Sequence, residues 1–434
     1  MHMLRSIVAA STLLVAGPAL AEIDIQNVTS PAGHKIWLVE EPSIPIVSIE
    51  IAFRGGHRTD PADKAGLTNF TFGMMNEGAG DLDAVAWSKR ADDISARIGF
   101  DNRLDRVEVS ARFLVETLEE STDFLAMTLS KPRFDAEPME RVRRQILSGI
   151  RQAETDPSEI ASQTWWSRAF PDHPYGRDRS GTAESVSALT VADLQEAHGR
   201  LMTTANAYIA IVGAIDAAKA GEIIDRIFAE LPKGEVFAPN TLAVAPPPGV
   251  FVVEQDVPQS VAILGHAGIE RDDPDFIPAY VMNYILGGGG FSSRLTEEVR
   301  EKRGLAYSVY AYLSVYEEAA LYMAGVQTAN ERVAESIDVI KEEWARMAAE
   351  GLTQEDLDKA KTYLTGSFPL RFDSNSKIAN YLLFVQLADL GIDYINTRNS
   401  LIEAVTLEQA KRAAARILDP DALSIVVVGK PVGL

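Results

Sequence analysis

The chain has 434 residues, too many for one compact core, so two or more domains are expected. Apolar residues make up 46% of it and charged residues 24%, which indicates a soluble globular protein and excludes a disordered one. The absence of cysteine excludes disulfides and thiol chemistry, and the net charge of −21 disfavours nucleic acid and anionic lipid as partners. The same acidity is compatible with basic ligands, or simply with solubility.

The first residues have the pattern of a secretory signal peptide. Arg5 precedes an apolar stretch over residues 6–17, and Ala19-Leu20-Ala21 matches an A-x-A cleavage site. We expect residues 1–21 to be removed on export to the periplasm, which takes the net charge from −21 to −22 because Arg5 leaves. The apolar stretch is too short to span a bilayer, and no later stretch approaches ~18 apolar residues, so no membrane span is expected. No cysteine is present for a lipid anchor.

Two parts of the chain repeat the same order of features. Residues 45–53 alternate apolar and polar side chains, as in a half-buried strand, and lead to Arg58-Thr-Asp-Pro61 and an apolar helical stretch. Residues 260–268 lead to Arg271-Asp-Asp-Pro274 and a second apolar helical stretch. The two prolines are 274 − 61 = 213 positions apart.

Two further matches recur at almost the same separation. Thr190 and Thr406 each precede a helix as an N-cap, and the strands that follow end in glycines 429 − 213 = 216 positions apart. Gly149 and Gly366 close a third matching pair of segments, 366 − 149 = 217 positions apart. Three separations within four residues of one another indicate an internal duplication.

We therefore predict an α+β fold of two homologous domains, each a mixed, mostly antiparallel sheet covered by helices. The N-terminal domain is expected over residues 22–233 and the C-terminal domain over residues 250–434. Four prolines break regular structure between these domains, so residues 234–249 are expected to form a linker.

The second half contains a glycine run, Gly287-Gly288-Gly289-Gly290, followed by Arg300 and Tyr307. A glycine run between two helices lets the backbone approach another surface closely. Arg300 offers a fork of donors for peptide carbonyls, and Tyr307 offers a hydroxyl. A helix end followed by a loop, with an ordinary surface arginine, explains the same residues when each is taken alone.

The combination Gly-Gly-Gly-x-x-Ser-Arg-Leu, then Arg300, then Gly-Leu-Ala-Tyr ending at Tyr307 resembles the C-terminal domain of the pitrilysin/insulinase family of zinc peptidases, which includes the processing peptidases. The resemblance covers essentially all of residues 25–430. It implies that Arg300 and Tyr307, which are 307 − 300 = 7 positions apart as in the family, grip the backbone of a peptide substrate beside the glycine run.

The family carries an inverted zinc motif, H-x-x-E-H, in its first half. Its two histidines lie on one helical face and bind one metal, and its glutamate activates water. This chain has Asn69, Phe72 and Gly73 at those positions, and Gly149 where the resemblance places the third ligand, a glutamate. The resemblance therefore implies that the zinc site is lost, that this chain has no cofactor, and that a partner subunit holds the zinc.

The six histidines offer no replacement site, because no two of them are spaced i, i+4. We expect His173 to be structural, and His57 and Asp60 to form an ordinary turn pair. Serine-hydrolase and P-loop chemistry are disfavoured, because neither a Gly-x-Ser-x-Gly elbow nor a Walker loop occurs.

The resemblance thus implies a non-catalytic, substrate-binding subunit of a heterodimeric zinc peptidase. Its partner is expected to be a homologous chain that bears H-x-x-E-H, and its ligand an extended peptide that this chain positions for cleavage. Alone, the chain is expected to be inactive. The alternatives are a structural or assembly protein, like the respiratory-complex core subunits of the same family, and a peptide-binding or chaperone-like protein that acts alone.

Overall fold

The computed structural model describes residues 22–434, so the predicted signal peptide over residues 1–21 lies outside the described residues. Within them the chain forms an α+β fold with two larger sheets, one in each half, and the predicted fold class is confirmed. No helix in this range is long and apolar enough to cross a bilayer.

The N-terminal domain is built on a six-stranded sheet, with a two-stranded hairpin beside it. Its strands are β1 (Gln26–Thr29), β2 (Lys35–Glu40), β3 (Ile46–Arg54), β4 (Gly78–Ala79), β5 (Leu82–Asp83), β6 (Arg97–Asn102), β7 (Arg106–Leu114) and β8 (Ala207–Gly213). The order in the sheet is β1-β2-β8-β3-β7-β6, and β4 pairs with β5. Strands β2 and β8 run parallel, and the other described pairs are antiparallel.

Eight α-helices are described in this domain: α1 (Leu67–Gly73), α2 (Ala84–Asp93), α3 (Leu118–Ser130), α4 (Ala136–Ala153), α5 (Pro157–Ala169), α6 (Ala183–Ala188), α7 (Val191–Leu201) and α8 (Ala217–Phe228). The alternation predicted for β3 places Val47, Ile49, Ile51 and Phe53 in the main core of the domain. Helices such as α1, α3, α7 and α8 supply the opposite side of that core.

The C-terminal domain is built on a five-stranded sheet and six described α-helices. Its strands are β9 (Gly249–Glu254), β10 (Gln259–Ala267), β11 (Ser308–Val315), β12 (Ala320–Ala329) and β13 (Ser424–Gly429). Its helices are α9 (Phe276–Asn283), α10 (Val333–Glu350), α11 (Gln354–Gly366), α12 (Asn375–Leu387), α13 (Tyr394–Glu403) and α14 (Leu407–Ile417), with wider π-helical turns at Tyr284–Gly288 and Thr296–Lys302.

The two sheets have the same topology. The order β2-β8-β3-β7-β6 in the first half matches β9-β13-β10-β12-β11 in the second, and the first pair in each series is parallel. Thr190 and Thr406 both form capping boxes, with Asp193 and Gln409 respectively. The predicted duplication is therefore present in the chain topology, with β1 as an addition to the first half.

The segment between the domains has no helix or strand from residue 229 to residue 248. It contains most of the predicted linker, and Gly249, expected to be the last linker residue, is instead the first residue of β9. Proline at positions 246–248 cannot donate a ladder hydrogen bond, so pairing with β13 begins only where the prolines end.

One helix from each half lies on the sheet of the other half. Helix α5 of the first half packs on β10 and β13, where the Trp165 indole donates to the carbonyl of Ser424 at 3.1 Å. Helix α12 of the second half packs on β3 and β8, where the Gln386 amide donates to the carbonyl of Ile209 at 3.0 Å. The two helices begin 375 − 157 = 218 positions apart, which makes them counterparts in the repeat. Each sheet thus has one face covered by its own half and the other by its neighbour.

A buried ion-pair network also joins the halves. The Arg58 guanidinium contacts Glu318 at 2.7 Å and Glu317 at 3.2 Å, both in the turn between β11 and β12. The phenol of Tyr175 donates to Asp105 at 2.6 Å and accepts the backbone N–H of Glu318 at 3.2 Å. Because its members supply charges of both signs, the network offsets part of the cost of burying them.

The face of β3 beneath α12 holds a buried carboxyl group. Ser48 contacts Ser376 on α12 at 3.0 Å, and Glu50, two positions later on the same face, is 6% exposed. Burial, and then the charge of Glu108, raises the pKa of Glu50 from 4.5 to about 8. The folded chain therefore holds a proton there that the unfolded chain releases above pH 4.5.

This proton makes stability depend on pH. Because the pKa is raised by folding, the contribution of Glu50 to the free energy of unfolding should fall as pH rises from about 4.5 to about 8. Glu50→Gln should remove this decline and stabilise the chain at pH 9 by up to about 5 kcal/mol. Urea denaturation at pH 5 and pH 9 measures both effects, with the exposed Glu116→Gln as the control. An unchanged pH slope in Glu50→Gln would contradict the assignment.

Candidate functional site

The glycine run follows α9 and closes against the chain's own sheet. A Cβ at Gly287 would lie 2.6 Å from the backbone nitrogen of Ala311 on β11, and one at Gly288 would lie 2.7 Å from the Asn283 amide. Gly290 has a φ of 56°, in the left-handed region that favours glycine. The glycine run was expected to approach another surface closely, and that surface is strand β11 of the same domain. This contact holds the start of the following loop against the sheet.

Arg300 lies on the π-helical turn Thr296–Lys302, which a buried carboxylate holds in place. Glu298 is 7% exposed and accepts from Lys302 at 2.7 Å and from Arg303. Hydrogen bonds from Lys302 and then Arg303 lower the pKa of Glu298 to about 2, so this carboxylate stays charged at any physiological pH. Gly304, with a φ of 60°, then turns the chain toward Tyr307 and β11.

The structure brings Arg300 and Tyr307 together and adds a third residue, Phe291. The Arg300 guanidinium carbon lies 4.7 Å from the centre of the Tyr307 ring and 4.7 Å from the centre of the Phe291 ring. Phe291 is 74% exposed and Tyr307 80% exposed, so the two rings and the cation form an outward-facing stack. We call these three residues the arginine–aromatic stack.

Most donors of the stack are unused within residues 22–434. The Arg300 side chain contacts Glu301 at 3.2 Å, and the Tyr307 hydroxyl makes no hydrogen bond with the described part of the chain. A guanidinium and a phenol whose N–H and O–H groups have no partner in the protein can donate hydrogen bonds to the carbonyl oxygens of an extended peptide. Phe291 was missed by the sequence analysis, although an apolar residue directly after four glycines was the available signal.

The four positions of the lost zinc motif lie on α1 and α4. Phe72 is 4% exposed and packs in the core, with its ring 6.5 Å from that of Phe100. Asn69 is half-buried, and Gly149 is exposed on α4. The family's motif lies on a helix, and the corresponding Gly73 is the last residue of α1, because the backbone N–H groups of Met74 and Met75 close turns on Thr71 and Phe72. Asn69 supplies the one polar side chain among the four.

Four of the five described histidines are engaged in packing or structural hydrogen bonds, and the buried Nδ1 of His57 has no partner among residues 22–434. His173 contacts Glu318 at 3.0 Å across the domain boundary, and His266 accepts from Trp344 at 3.0 Å. His57 and Asp60 share a backbone turn, whereas the Asp60 carboxylate accepts from Thr68. Over residues 22–434, no group of three or more histidine, aspartate or glutamate side chains is arranged to hold a metal ion.

A cavity of about 1330 Å³ lies between the two halves, and no pattern in the sequence predicted it. Helices α5 and α12, which we call the exchanged helices because each lies on the sheet of the other half, both line the cavity, through Trp166 and Phe384 respectively. Gly149 of α4 also belongs to its wall. Arg300, Tyr307 and the glycine run do not belong to its wall. The structure therefore separates two features, the exposed arginine–aromatic stack and the interdomain cavity.

A duplicated α+β chain that keeps the arginine–tyrosine pair and lacks the zinc residues has the features of a non-catalytic peptidase homologue. Residues 35–183 match the family model described as insulinase (peptidase family M16), and residues 188–364 match the one described as peptidase M16 inactive domain. The chain belongs to the insulinase family, peptidase family M16, and is an inactive member of it.

Known proteins similar to the chain agree with this membership. The crystal structure of a peptidase M16 inactive domain from Pseudomonas fluorescens is 30% identical, has a TM-score of 0.89, and is matched over 94% of this chain and 98% of that one. The non-peptidase homolog YmxG of Helicobacter pylori is 26% identical over 85% of this chain and 86% of its own. An uncharacterized zinc protease of Mycobacterium leprae is 27% identical over 90% and 88% respectively.

The substitutions at the motif positions predict the metal content of the chain. Phenylalanine and glycine have no ligand atom in their side chains, so purified chain should contain far less than one equivalent of zinc and should not cleave unstructured peptides. Inductively coupled plasma mass spectrometry and a fluorescent peptide-cleavage assay measure the two properties. Near-stoichiometric zinc, with cleavage that a chelator abolishes, would overturn the prediction.

The position of Gly73 gives a separate stability prediction. Gly73→Ala should stabilise the chain by about 0.5 kcal/mol, because its backbone is helical and a new Cβ meets only Val142 at 3.5 Å. Gly66→Ala is the contrasting variant. Gly66 has a φ of 87° and its Cβ would lie 2.5 Å from the Ser180 carbonyl, so thermal denaturation should show a clear loss of stability. Destabilisation by Gly73→Ala would mean that α1 ends earlier than described.

Proposed function

We propose that this chain is the substrate-binding, non-catalytic subunit of a heterodimeric zinc peptidase, and that it holds extended peptides for cleavage by a zinc-bearing partner. The observation that carries the proposal is the arginine–aromatic stack, which remains intact and exposed in a chain whose zinc positions are Asn69, Phe72, Gly73 and Gly149. Peptide-binding residues in a chain without a catalytic centre are consistent with a second chain that supplies that centre.

The geometry of the stack supports peptide binding. The Arg300 guanidinium lies against both rings, so a substrate carbonyl meets a guanidinium whose orientation is already restricted. Tyr307 immediately precedes β11, one of the two edge strands of the C-terminal sheet. An edge strand offers backbone N–H and C=O groups to an extended peptide, and the Tyr307 hydroxyl lies at the start of that edge.

The roles of the residues follow from their chemistry. Arg300 donates charge-assisted hydrogen bonds to a peptide carbonyl, Tyr307 donates one neutral hydrogen bond, and Phe291 supplies an apolar surface beside them. Together they orient the peptide backbone and polarise a carbonyl, which are positioning and electrostatic contributions. The partner, a homologous chain with H-x-x-E-H, supplies the zinc and the water. The cleavage pattern of residues 1–21 adds the proposal that the pair works in the periplasm.

The rival function is that of a structural or assembly protein. The exposure of Phe291 and Tyr307 favours it in one respect, because exposed aromatic rings beside an arginine are also typical of protein–protein interfaces. In that case the stack is covered by another subunit and contacts no peptide. The same variants distinguish the two functions, because they lower catalysis in one case and assembly in the other.

We expect Arg300→Ala to lower the peptidase activity of the reconstituted pair by roughly 10- to 100-fold, through loss of a charge-assisted hydrogen bond. Tyr307→Phe removes a neutral hydroxyl and should cost roughly 2- to 10-fold. Steady-state cleavage of a fluorescent peptide measures both effects, and the zinc content of the partner should not change.

Arg90→Ala is the control, because Arg90 is an exposed arginine of the other domain that pairs with Glu120. Its activity should equal that of the unmodified pair. Size-exclusion chromatography should show that all three variants still assemble. Full activity in both stack variants would reject peptide gripping, and loss of assembly would favour the structural role.

A further inference from the structure

The duplication provides an internal comparison at its two Arg-x-x-Pro segments. Arg58 follows the end of β3 by 58 − 54 = 4 positions, and Arg271 follows the end of β10 by 271 − 267 = 4 positions. Arg58 is neutralised by carboxylates of the buried network. Arg271 has no carboxylate oxygen within 4.0 Å among residues 22–434. The repeat has therefore kept the cation in the second half without an ionic partner.

Aromatic rings hold Arg271 in place instead of carboxylates. Its guanidinium carbon lies 4.3 Å from the centre of the Phe276 ring, at the start of α9, and 5.3 Å from that of Phe384 on α12. Burial lowers the pKa of Arg271, although the hydroxyls of Tyr280, Tyr381 and Tyr394 act in the opposite direction. The charged form thus loses hydration that no carboxylate of the described chain replaces, which leaves the guanidinium available to pair with an anion.

Arg271 is open to the interdomain cavity and differs from the other arginines of its wall. Arg54, Arg103 and Arg106 pair with Glu317, Asp101 and Glu108 respectively, and Arg177 donates to the carbonyl of Asp60. Arg179 has no ion pair in the described chain, but it is exposed and is not stacked on a ring. Arg271 alone among these six combines a missing partner with a fixed, half-buried guanidinium.

The acidic residues nearby favour a ligand with one negative charge over a polyanion. Glu270, Asp272 and Asp389 line the same cavity, and none comes within 4.0 Å of Arg271. Their repulsion grows with the charge of the ligand, so it is weaker for a single carboxylate, which can also pair with one guanidinium in bidentate geometry. A volume of about 1330 Å³ accommodates a peptide segment around that contact.

We propose that Arg271 is a carboxylate-binding subsite of the interdomain cavity, which takes the C-terminal carboxylate or an acidic side chain of an extended peptide. The proposal relies on the proposed function in that its ligand is a peptide, but it requires neither the zinc-bearing partner nor the arginine–aromatic stack. Binding to the isolated full chain therefore tests it separately from peptidase activity.

The probe is a short peptide of uncharged residues with rhodamine at its N-terminus, in three forms: the free acid, the C-terminal amide, and the amide with one internal glutamate. Fluorescence anisotropy at low salt should show ~10-fold or greater preference for at least one carboxylate-bearing form over the plain amide. Preference for the free acid alone assigns the subsite to the peptide C-terminus, and preference for the glutamate form alone assigns it to a side chain.

Arg271→Gln should abolish this preference, and Arg271→Lys should keep part of it because the charge remains. Arg179→Gln, at the exposed arginine of the same wall, should leave it unchanged. Circular dichroism melting verifies that each variant is folded. Equal affinity for all three peptides in the unmodified chain, no binding of any of them, or a preference that persists in Arg271→Gln overturns the proposal.

Discussion

Each sheet of this protein is completed by a helix from the opposite half, and the rest of the molecule follows from that exchange. Without α5, the C-terminal sheet would expose Val261, Val426 and Val428, which are at most 7% exposed in the intact chain. Helix α12 covers the corresponding face of the N-terminal sheet. Because both exchanged helices also line the interdomain cavity, the interaction that joins the halves determines the shape of the cavity as well.

The lost zinc motif shows how a catalytic helix becomes a structural one. Helix α1 remains packed in the core of the first half, and Phe72, at the position of the family's catalytic glutamate, is part of that core. A buried carboxylate needs polar partners, whereas a phenylalanine at the same place contributes packing. Asn69 is half-buried on α1 and Gly149 is exposed on α4, so neither position is part of the packed core.

The sequence predicted the duplication, the α+β fold and the spacing of Arg300 and Tyr307, because each depends on periodicity or on residues close together in the chain. It did not predict the contact of the Phe291 ring with Arg300, since that contact arises from how the glycine run packs against Ala311. The end of α1 at Gly73 and the exchange of α5 and α12 depend on packing between distant segments. Local propensity contains no information on such contacts.

The exchanged helices also change the role of the segment over residues 229–248. Since α5 and α12 and the Arg58 network hold the halves together, this segment acts as a tether that raises the local concentration of two parts already bound to each other. A single proteolytic cut in it leaves a non-covalent pair with both sheets still covered. Either fragment alone retains an uncovered apolar sheet face and is prone to aggregation. The gene can therefore be divided at this segment only if both pieces are produced together.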